Sequence, residues 1–247
     1  MIQRIRSAYF VVGALAATLA GSAHAEEGQG IHRFGSPGFI VSADRLLPLL
    51  SYQSIKTTQS DGSSDTQSSF SIALMNNGPF GVFASFYNLP RLGLDWVPIR
   101  NLTLGGAAWF YADLQASDSQ TPAHSNVSTT NDRPKVTYWG VAPRVGYIFA
   151  LGDKLSLWPR LGVEYHNVST SDVGSGSGSI TQFALEAEAM FVVSPWNHFG
   201  FQFGPTADIP FTGSQTISAT VAGTTTSIKV DSSMFQIGVS AGMLGHF

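Results

Sequence analysis

The sequence predicts an all-β protein: a closed, eight-stranded antiparallel transmembrane barrel with up-and-down order. Three observations carry that expectation. The final stretch alternates apolar with small or polar residues up to an aromatic end, other segments keep the same two-residue period, and the connections alternate between long and short. Within 234–247, Phe235, Ile237, Val239, Ala241, Met243 and Phe247 fall on one face, while Gln236, Gly238, Ser240, Gly242 and His246 fall on the other. A strand of this kind has one face for lipid and one for a lumen.

The elements follow in order along the chain. Arg4 and Arg6 precede an apolar run from Tyr9 to Gly21, shorter than the roughly 20 residues that cross a bilayer as a helix. Ala23-His24-Ala25 is a small-residue cleavage site, so 1–25 reads as a cleaved signal peptide. Residues 26–37 are expected as a short periplasmic segment and 38–247 as the barrel. With Arg4 and Arg6 removed, 11 basic residues face 16 acidic ones, a balance that gives no support to nucleic-acid binding. The chain has no Cys, which excludes disulfides and thiolate chemistry. Charged residues make up 12%, about half the usual share of roughly 25%.

Eight strands are expected near 38–57, 86–97, 102–115, 135–149, 155–169, 181–193, 199–211 and 229–247. In 155–167, Leu155, Leu157, Leu161, Val163 and Tyr165 oppose Arg160, Gly162 and Glu164. In 182–193, Phe183, Leu185, Ala187, Ala189, Phe191 and Val193 oppose Gln182, Glu186 and Glu188. Strict alternation over this length is a strand signal. A bulge is expected around Leu46-Leu47-Pro48-Leu49, where the first strand loses its period. Long polar loops are expected at about 59–85, 116–134, 170–180 and 212–228, and short turns at Pro98–Asn101, Ala150–Lys154 and Ser194–His198. That rhythm places the long loops outside the cell and both termini in the periplasm. An extra hairpin within 66–87 would give ten strands; a long first loop with local structure is preferred. Trp96, Phe149, Trp196, Phe199 and Phe247 near the short turns, and Phe110, Trp139 and Tyr165 higher up, read as two interfacial girdles.

The inward positions carry the only dense chemistry. Asp44, Arg91, Asp95, Asp113, Arg144, Arg160, Glu164, Glu186, Glu188 and Asp208 project to the lumen by parity. Asp44, Arg91, Arg144, Arg160, Glu186 and Glu188 fall at similar height and are expected to form one paired charge layer. Charges so placed need partners, because an isolated buried charge costs many kcal/mol. Arg160 with Glu188, and Asp44 with Arg91, are expected on adjacent strands. A plug of this sort fills an eight-stranded barrel, whose interior only just holds side chains. If an ion path existed instead, the excess of acids would favour cations.

A motif of Pro, Arg, an aliphatic residue and Gly recurs at Pro90–Gly93, Pro143–Gly146 and Pro159–Gly162. Its Arg and Gly face the lumen, and Gly makes room for a long neighbour. With the leader, the eight alternating strands, Pro90-Arg91-Leu92-Gly93 and Phe247, the chain resembles the small bacterial outer-membrane β-barrel superfamily, the group of OmpA-like transmembrane domains and OmpX-like proteins. The resemblance implies residence in a Gram-negative outer membrane. It also implies that Phe247 is part of a signal read by the barrel-assembly machinery, with Gly245 standing where another large apolar residue is usual. The outer-membrane lipid and lipopolysaccharide are then partners, and a monomer is expected.

Lys56, Arg133, Lys135 and Lys229 cluster at the outer ends of strands and are candidate contacts for lipopolysaccharide phosphates. Glu164, His166 and Ser169 offer an acid, a base and a hydroxyl near the outer rim, but not at a spacing that matches the outer-membrane lipid A deacylases. His198, in a turn, is expected to be solvated. No nucleotide, zinc or haem motif is present, so neither cofactor nor metal is expected. The expected function is non-enzymatic, structural or surface-interacting, with the outer loops as contact sites. The alternatives are a narrow, porin-like, cation-preferring pore and a lipid A-modifying enzyme at the outer rim.

Overall fold

Strands β1 (Gly38–Thr58), β2 (Ser64–Ile72), β3 (Arg91–Ile99), β4 (Leu102–Asp113), β5 (Ser117–Gln120), β6 (Thr129–Asp132), β7 (Lys135–Tyr147), β8 (Phe149–Ala150), β9 (Leu155–Ser171), β10 (Gly176–Trp196), β11 (Phe199–Val221) and β12 (Thr224–His246) follow one another along the chain. The computed structural model describes residues 34–59, 61–72, 89–113, 117–120, 129–132, 135–171, 176–221 and 224–247. Eight of the strands close a ring of antiparallel pairs. β1 pairs β3, β3 pairs β4, β4 pairs β7, and β7 pairs β9. β9 pairs β10, β10 pairs β11, β11 pairs β12, and β12 returns to β1. At the seam, Phe39 and Phe247 exchange both backbone hydrogen bonds at 2.9 Å.

Two-residue periodicity sets the two faces of this ring. In β9, Leu161 and Val163 are exposed outward, whereas Trp158, Arg160, Glu164 and His166 are buried inward. In β12, Ile237 is exposed outward, while Met234, Gln236, Ser240 and Leu244 are buried inward. The outer face carries Phe39, Leu94, Trp139, Leu185, Phe203 and Ile237, all exposed. A polar interior inside an apolar exterior is the inverse of a soluble sandwich, and it is the arrangement of a barrel that meets lipid. Trp139 meets Tyr165 at 5.2 Å and Tyr165 meets Phe183 at 4.7 Å, both tilted, while Phe183 stacks on Phe211 at 6.3 Å, forming an aromatic ladder across four strands.

The strand lengths correct the expected loops. The described parts of the stretches at 170–180 and 212–228 are strand: β9 runs to Ser171, β10 begins at Gly176, and β11 and β12 are paired up to Val221 with Thr224. The polar composition suggested loops. However, Thr216, Ile217, Thr220, Val221, Thr224, Thr225, Thr226, Ile228 and Val230 are β-branched and favour a pleated strand once a neighbour pairs them. In the first long connection, β2 pairs the upper half of β1 from Leu50 with Ile72 to Thr58 with Ser64, and β3 pairs only its lower end, from Gly38 to Asp44. The possible second half of that hairpin lies outside the described residues. Within 116–134, β5 and β6 pair only each other.

The bulge in β1 is real and reaches further toward the N-terminus than its sequence suggested. Register shifts separate Ala43 from Leu47 and Pro48 from Leu50. Arg45 sits at φ 53°, the left-handed region that a non-glycine residue rarely enters. Near the short turns, residues 34–37, the described end of the segment expected as periplasmic, pack against the barrel interior. Phe34 is buried with Ile40, Val97, Ile148, Trp158, Val192 and Leu244, and it meets Trp158 edge-on at 5.5 Å. The Asn101 N–H donates to the Gly35 carbonyl at 2.8 Å, which ties this segment to the turn at Asn101, and the Ile148 N–H donates to the Asn101 carbonyl at 2.8 Å.

Candidate functional site in the lumen

Above the Phe34 cluster lies a continuous network of buried charges. Arg144 grips Asp95 with two donors, at 3.0 and 2.6 Å, and reaches Asp44 at 2.6 Å. Asp44 also meets Arg160 at 3.3 Å and accepts a hydrogen bond from the Gln202 amide. Arg160 pairs with Glu188 at 2.6 Å, directly across the β9–β10 ladder. Arg91 pairs with Glu186 at 2.6 Å and Glu164 at 2.9 Å. Glu164 bonds His166 at 2.8 Å.

The six layer residues read from the sequence, Asp44, Arg91, Arg144, Arg160, Glu186 and Glu188, therefore all lie inside the ring and within ion-pair distance of an opposite charge. Asp44 and Arg91 are neighbours in register, yet their side chains bond elsewhere: Asp44 to Arg144 and Arg160, Arg91 to Glu186 and Glu164. Backbone register fixes which Cα atoms are opposite. A long guanidinium side chain can reach across the narrow lumen to a carboxylate several strands away. Asp95, Glu164 and Asp208 join the network as well, and nothing is described of the Asp113 side chain.

Arg45 is the residue that alternation missed. It binds Asp208 with two donors at 2.8 and 2.9 Å, Glu186 at 2.9 Å and Glu188 at 3.3 Å. Its side chain is fully buried. Strict parity after Asp44 would have aimed Arg45 at lipid, where a cation at the midplane costs about 2–4 kcal/mol. The bulge supplies an extra residue, so Asp44 and Arg45 both turn inward. The signal was in the sequence: a charged pair beside the expected bulge, one member of which parity placed against hydrocarbon.

Aromatic rings and glycines complete the layer. The Arg91 guanidinium lies 4.0 Å over the Trp109 ring, and Arg160 lies 4.5 Å over Trp158. Such contacts are worth up to about 2 kcal/mol when desolvated. A Cβ on Gly93 would come within 3.1 Å of the Asp44 carboxylate, and one on Gly146 within 2.7 Å of Thr103 Oγ1 and Trp158 Nε1. The glycine of the repeated motif thus clears space for a neighbouring inward side chain.

Higher up, Gln53, Gln182, Met234 and Gln236 are buried. β11 leaves β12 unpaired between Asp208 and Ser214. In that gap Gln182 donates to the Met234 carbonyl at 2.9 Å and accepts from its N–H at 2.7 Å. A side-chain amide replaces a missing ladder rung, as buried backbone groups require. Tyr138 and Val168, packed against Ile55, Leu89, Tyr111, Val136 and Ile180, form the uppermost apolar layer among the described residues. The lumen is thus a stack of an apolar floor, a charge layer, an amide clamp and an apolar lid.

The chemistry open to this stack is narrow. Carboxylate oxygens of Glu164, Glu186 and Asp208 lie within 4.8 Å of one another, a spacing a metal cation could bridge. Arg91 and Arg45 already serve as its countercharge. The acid, base and hydroxyl near the rim cannot act together. Glu164 and His166 are buried in the lumen, whereas Ser169 lies on the opposite, exposed face of β9, where it bonds Asn167. His198 is not simply solvated: it is half-buried, bonds the His246 carbonyl at 2.9 Å and stacks on Phe247 at 6.3 Å. Lys56, Lys135 and Lys229 are exposed on outward positions, opposite Ser233, Ser171 and Thr216 respectively. Arg133 lies outside the described residues.

No protein-family model matches this sequence, and no curated protein matches it in sequence. Among solved structures, the chain is similar to the outer membrane protein OprG from Pseudomonas aeruginosa, with 12% identity over 88% of this chain and 100% of that one and a TM-score of 0.48. It is also similar to the outer membrane protein AlkL, determined in lipid bilayers, with 12% identity over 92% and 97% of the two chains and a TM-score of 0.47. A third is a major outer membrane protein from Thermus thermophilus, with 10% identity over 84% and 99% and a TM-score of 0.44.

Proposed function

We propose that this chain is a non-enzymatic resident of the bacterial outer membrane. Its barrel is a closed structural support and its outward and extracellular surfaces make the functional contacts. One observation carries the reading: among the described residues, side chains occupy the inside of the ring at successive levels from floor to top. Six carboxylates, Asp44, Asp95, Glu164, Glu186, Glu188 and Asp208, are held by four arginines, between an apolar floor around Phe34 and an apolar lid around Tyr138. A conducting path needs hydrated sites that bind an ion weakly enough to release it. Here each of the six carboxylates already lies within ion-pair distance of a fixed guanidinium. The apolar outer face supports membrane residence, and the Phe39–Phe247 seam supports a role for Phe247 in assembly.

The test is single-channel recording of the refolded protein in planar bilayers at neutral pH. The expected result is no sustained conductance. Steady, cation-selective openings would replace this reading with the pore. A lipid A mass shift upon expression would replace it with the lipid-modifying enzyme.

A further inference from the structure

Outside the lumen, a cavity is lined by polar groups that the charge network does not use, and three of its hydroxyls, on Ser169, Thr170 and Ser218, are bonded within the barrel wall. It lies on the outer wall where β7, β9, β10 and β11 rise past the aromatic ladder, has a volume of about 420 Å³, and is bordered by Lys135, Thr137, Ser169, Ser179, Thr216 and Ser218. Eight of its ten lining residues carry hydroxyls and one is Lys135. The register places these side chains level with one another. Thr137 is opposite Ser169, Ser169 opposite Ser179, and Ser179 opposite Thr216, while Lys135 is opposite Ser171 one step higher. Parity places them outward, since Tyr138, Val168 and Gln182 in the same strands are buried inward. Gly178 forms part of the wall, and a Cβ there would approach Thr170 Oγ1 at 3.0 Å.

The ladder of Trp139, Tyr165 and Phe183 runs just below, with Asn167 and Thr181 between it and the cavity. Aromatic rings of this kind mark the boundary between hydrocarbon and headgroups. The cavity therefore opens sideways at headgroup height. Lys229, opposite Thr216 on β12, adds a second ammonium at one end. Exposed Asp231 sits next to Lys229, one outward position lower and opposite Ser214, and among the residues that line the cavity Lys135 is the one charged side chain. No aromatic or aliphatic anchor lines the cavity, whereas protein-binding hot spots are built on such anchors. Hydroxyls held on strands are preorganised donors and acceptors, and an ammonium beside them suits a phosphate.

We infer that this cavity takes the phosphorylated saccharide headgroup of a glycolipid in the surrounding outer leaflet. The inference rests on the outer-membrane reading above and gives that membrane contact a defined seat. The hydroxyls hold sugar hydroxyls and Lys135 holds the phosphate.

The experiment uses the full refolded protein in bilayers, with lipopolysaccharide retention read by native mass spectrometry. Heat-modifiable migration in lipopolysaccharide-free bilayers is read first. A wild-type protein that fails to insert overturns the membrane reading itself. Once inserted, the wild type should retain phosphorylated lipopolysaccharide about tenfold better than its dephosphorylated form, the size of one charge-assisted hydrogen bond. Lys135→Ala should abolish that preference. The double change Thr137→Val and Thr216→Val, close to isosteric, should weaken retention of both forms. Lys154→Ala, at an exposed short turn, should change neither. Wild-type retention by both cavity variants would overturn the inference while leaving the membrane reading intact. So would equal binding of the delipidated, soluble core oligosaccharide, which would assign the cavity to a free glycan.

Discussion

The inner and outer faces of the same strands use opposite chemistry at different heights. At mid-barrel β9 and β10 point Arg160, Glu164, Glu186 and Glu188 inward, where every charge is buried and paired. Further out, the same two strands point Ser169, Ser171, Ser177 and Ser179 outward into an open, hydroxyl-lined cavity. Both regions are polar, but only the first is buried from solvent. There a lost partner strands a charge, whereas in the second, solvent replaces whatever is removed. Polar content alone is therefore a poor guide to energetic weight.

The largest effect should come from Arg45. Arg45→Ala removes the partner of Asp208, Glu186 and Glu188 together, and breaking a buried pair costs about 3–5 kcal/mol. Urea unfolding in bilayers should show the loss; a change below about 1 kcal/mol would mean that the network relaxes or hydrates. Arg160→Ala should follow closely, since it strands part of the charge on Glu188 and Asp44. It is also the variant to record for conductance, because it opens space inside the layer.

Gly140→Leu should come next. A side chain there would be driven into the Trp109 ring, on which Arg91 rests. Overpacking of this kind costs about 1–3 kcal/mol, and near-UV circular dichroism should report the displaced indole. Unchanged stability and spectrum would show that Trp109 has room to move. Deleting Phe247 should act on yield more than on stability. It removes the paired bonds to Phe39 at the seam and the ring on which His198 stacks. The fraction of heat-modifiable protein in outer membranes measures this, and a normal fraction would remove the assembly role.

The smallest effect should be at the outward lysines. Lys229→Ala leaves no buried group without a partner, and surface substitutions of this type usually stay within about 0.5 kcal/mol. If it destabilised as much as Arg160→Ala, the contrast between the two faces would fail.

Much of this architecture is legible in the order of residues. Alternation in 155–167, 182–193 and 234–247 fixes which residues face inward, because successive strand side chains must point to opposite sides. That rule yields the ring, the apolar exterior and the six layer residues. It fails where the backbone breaks its own period. Arg45 turns inward only because of the bulge beside it. It fails again where composition is taken for conformation: the Thr- and Ser-rich stretch at 212–221 is strand because β10 and β12 offer it pairing partners.

The amino-acid order by itself determined the class of fold, the sidedness of each strand and the height of the charges, since these depend on local period and on counting residues. Only the tertiary structure decided who pairs with whom. Arg144 grips Asp95 and Asp44, and Arg91 turns from its register neighbour Asp44 to Glu186. It alone brought Phe34 inside to close the floor and set Gln182 across the gap in the β11–β12 ladder. The physical reason is that the interior of a narrow ring is shared by all eight strands. Its contacts join residues far apart in the chain, 163 positions between Arg45 and Asp208, and no local pattern encodes which side chains meet across it.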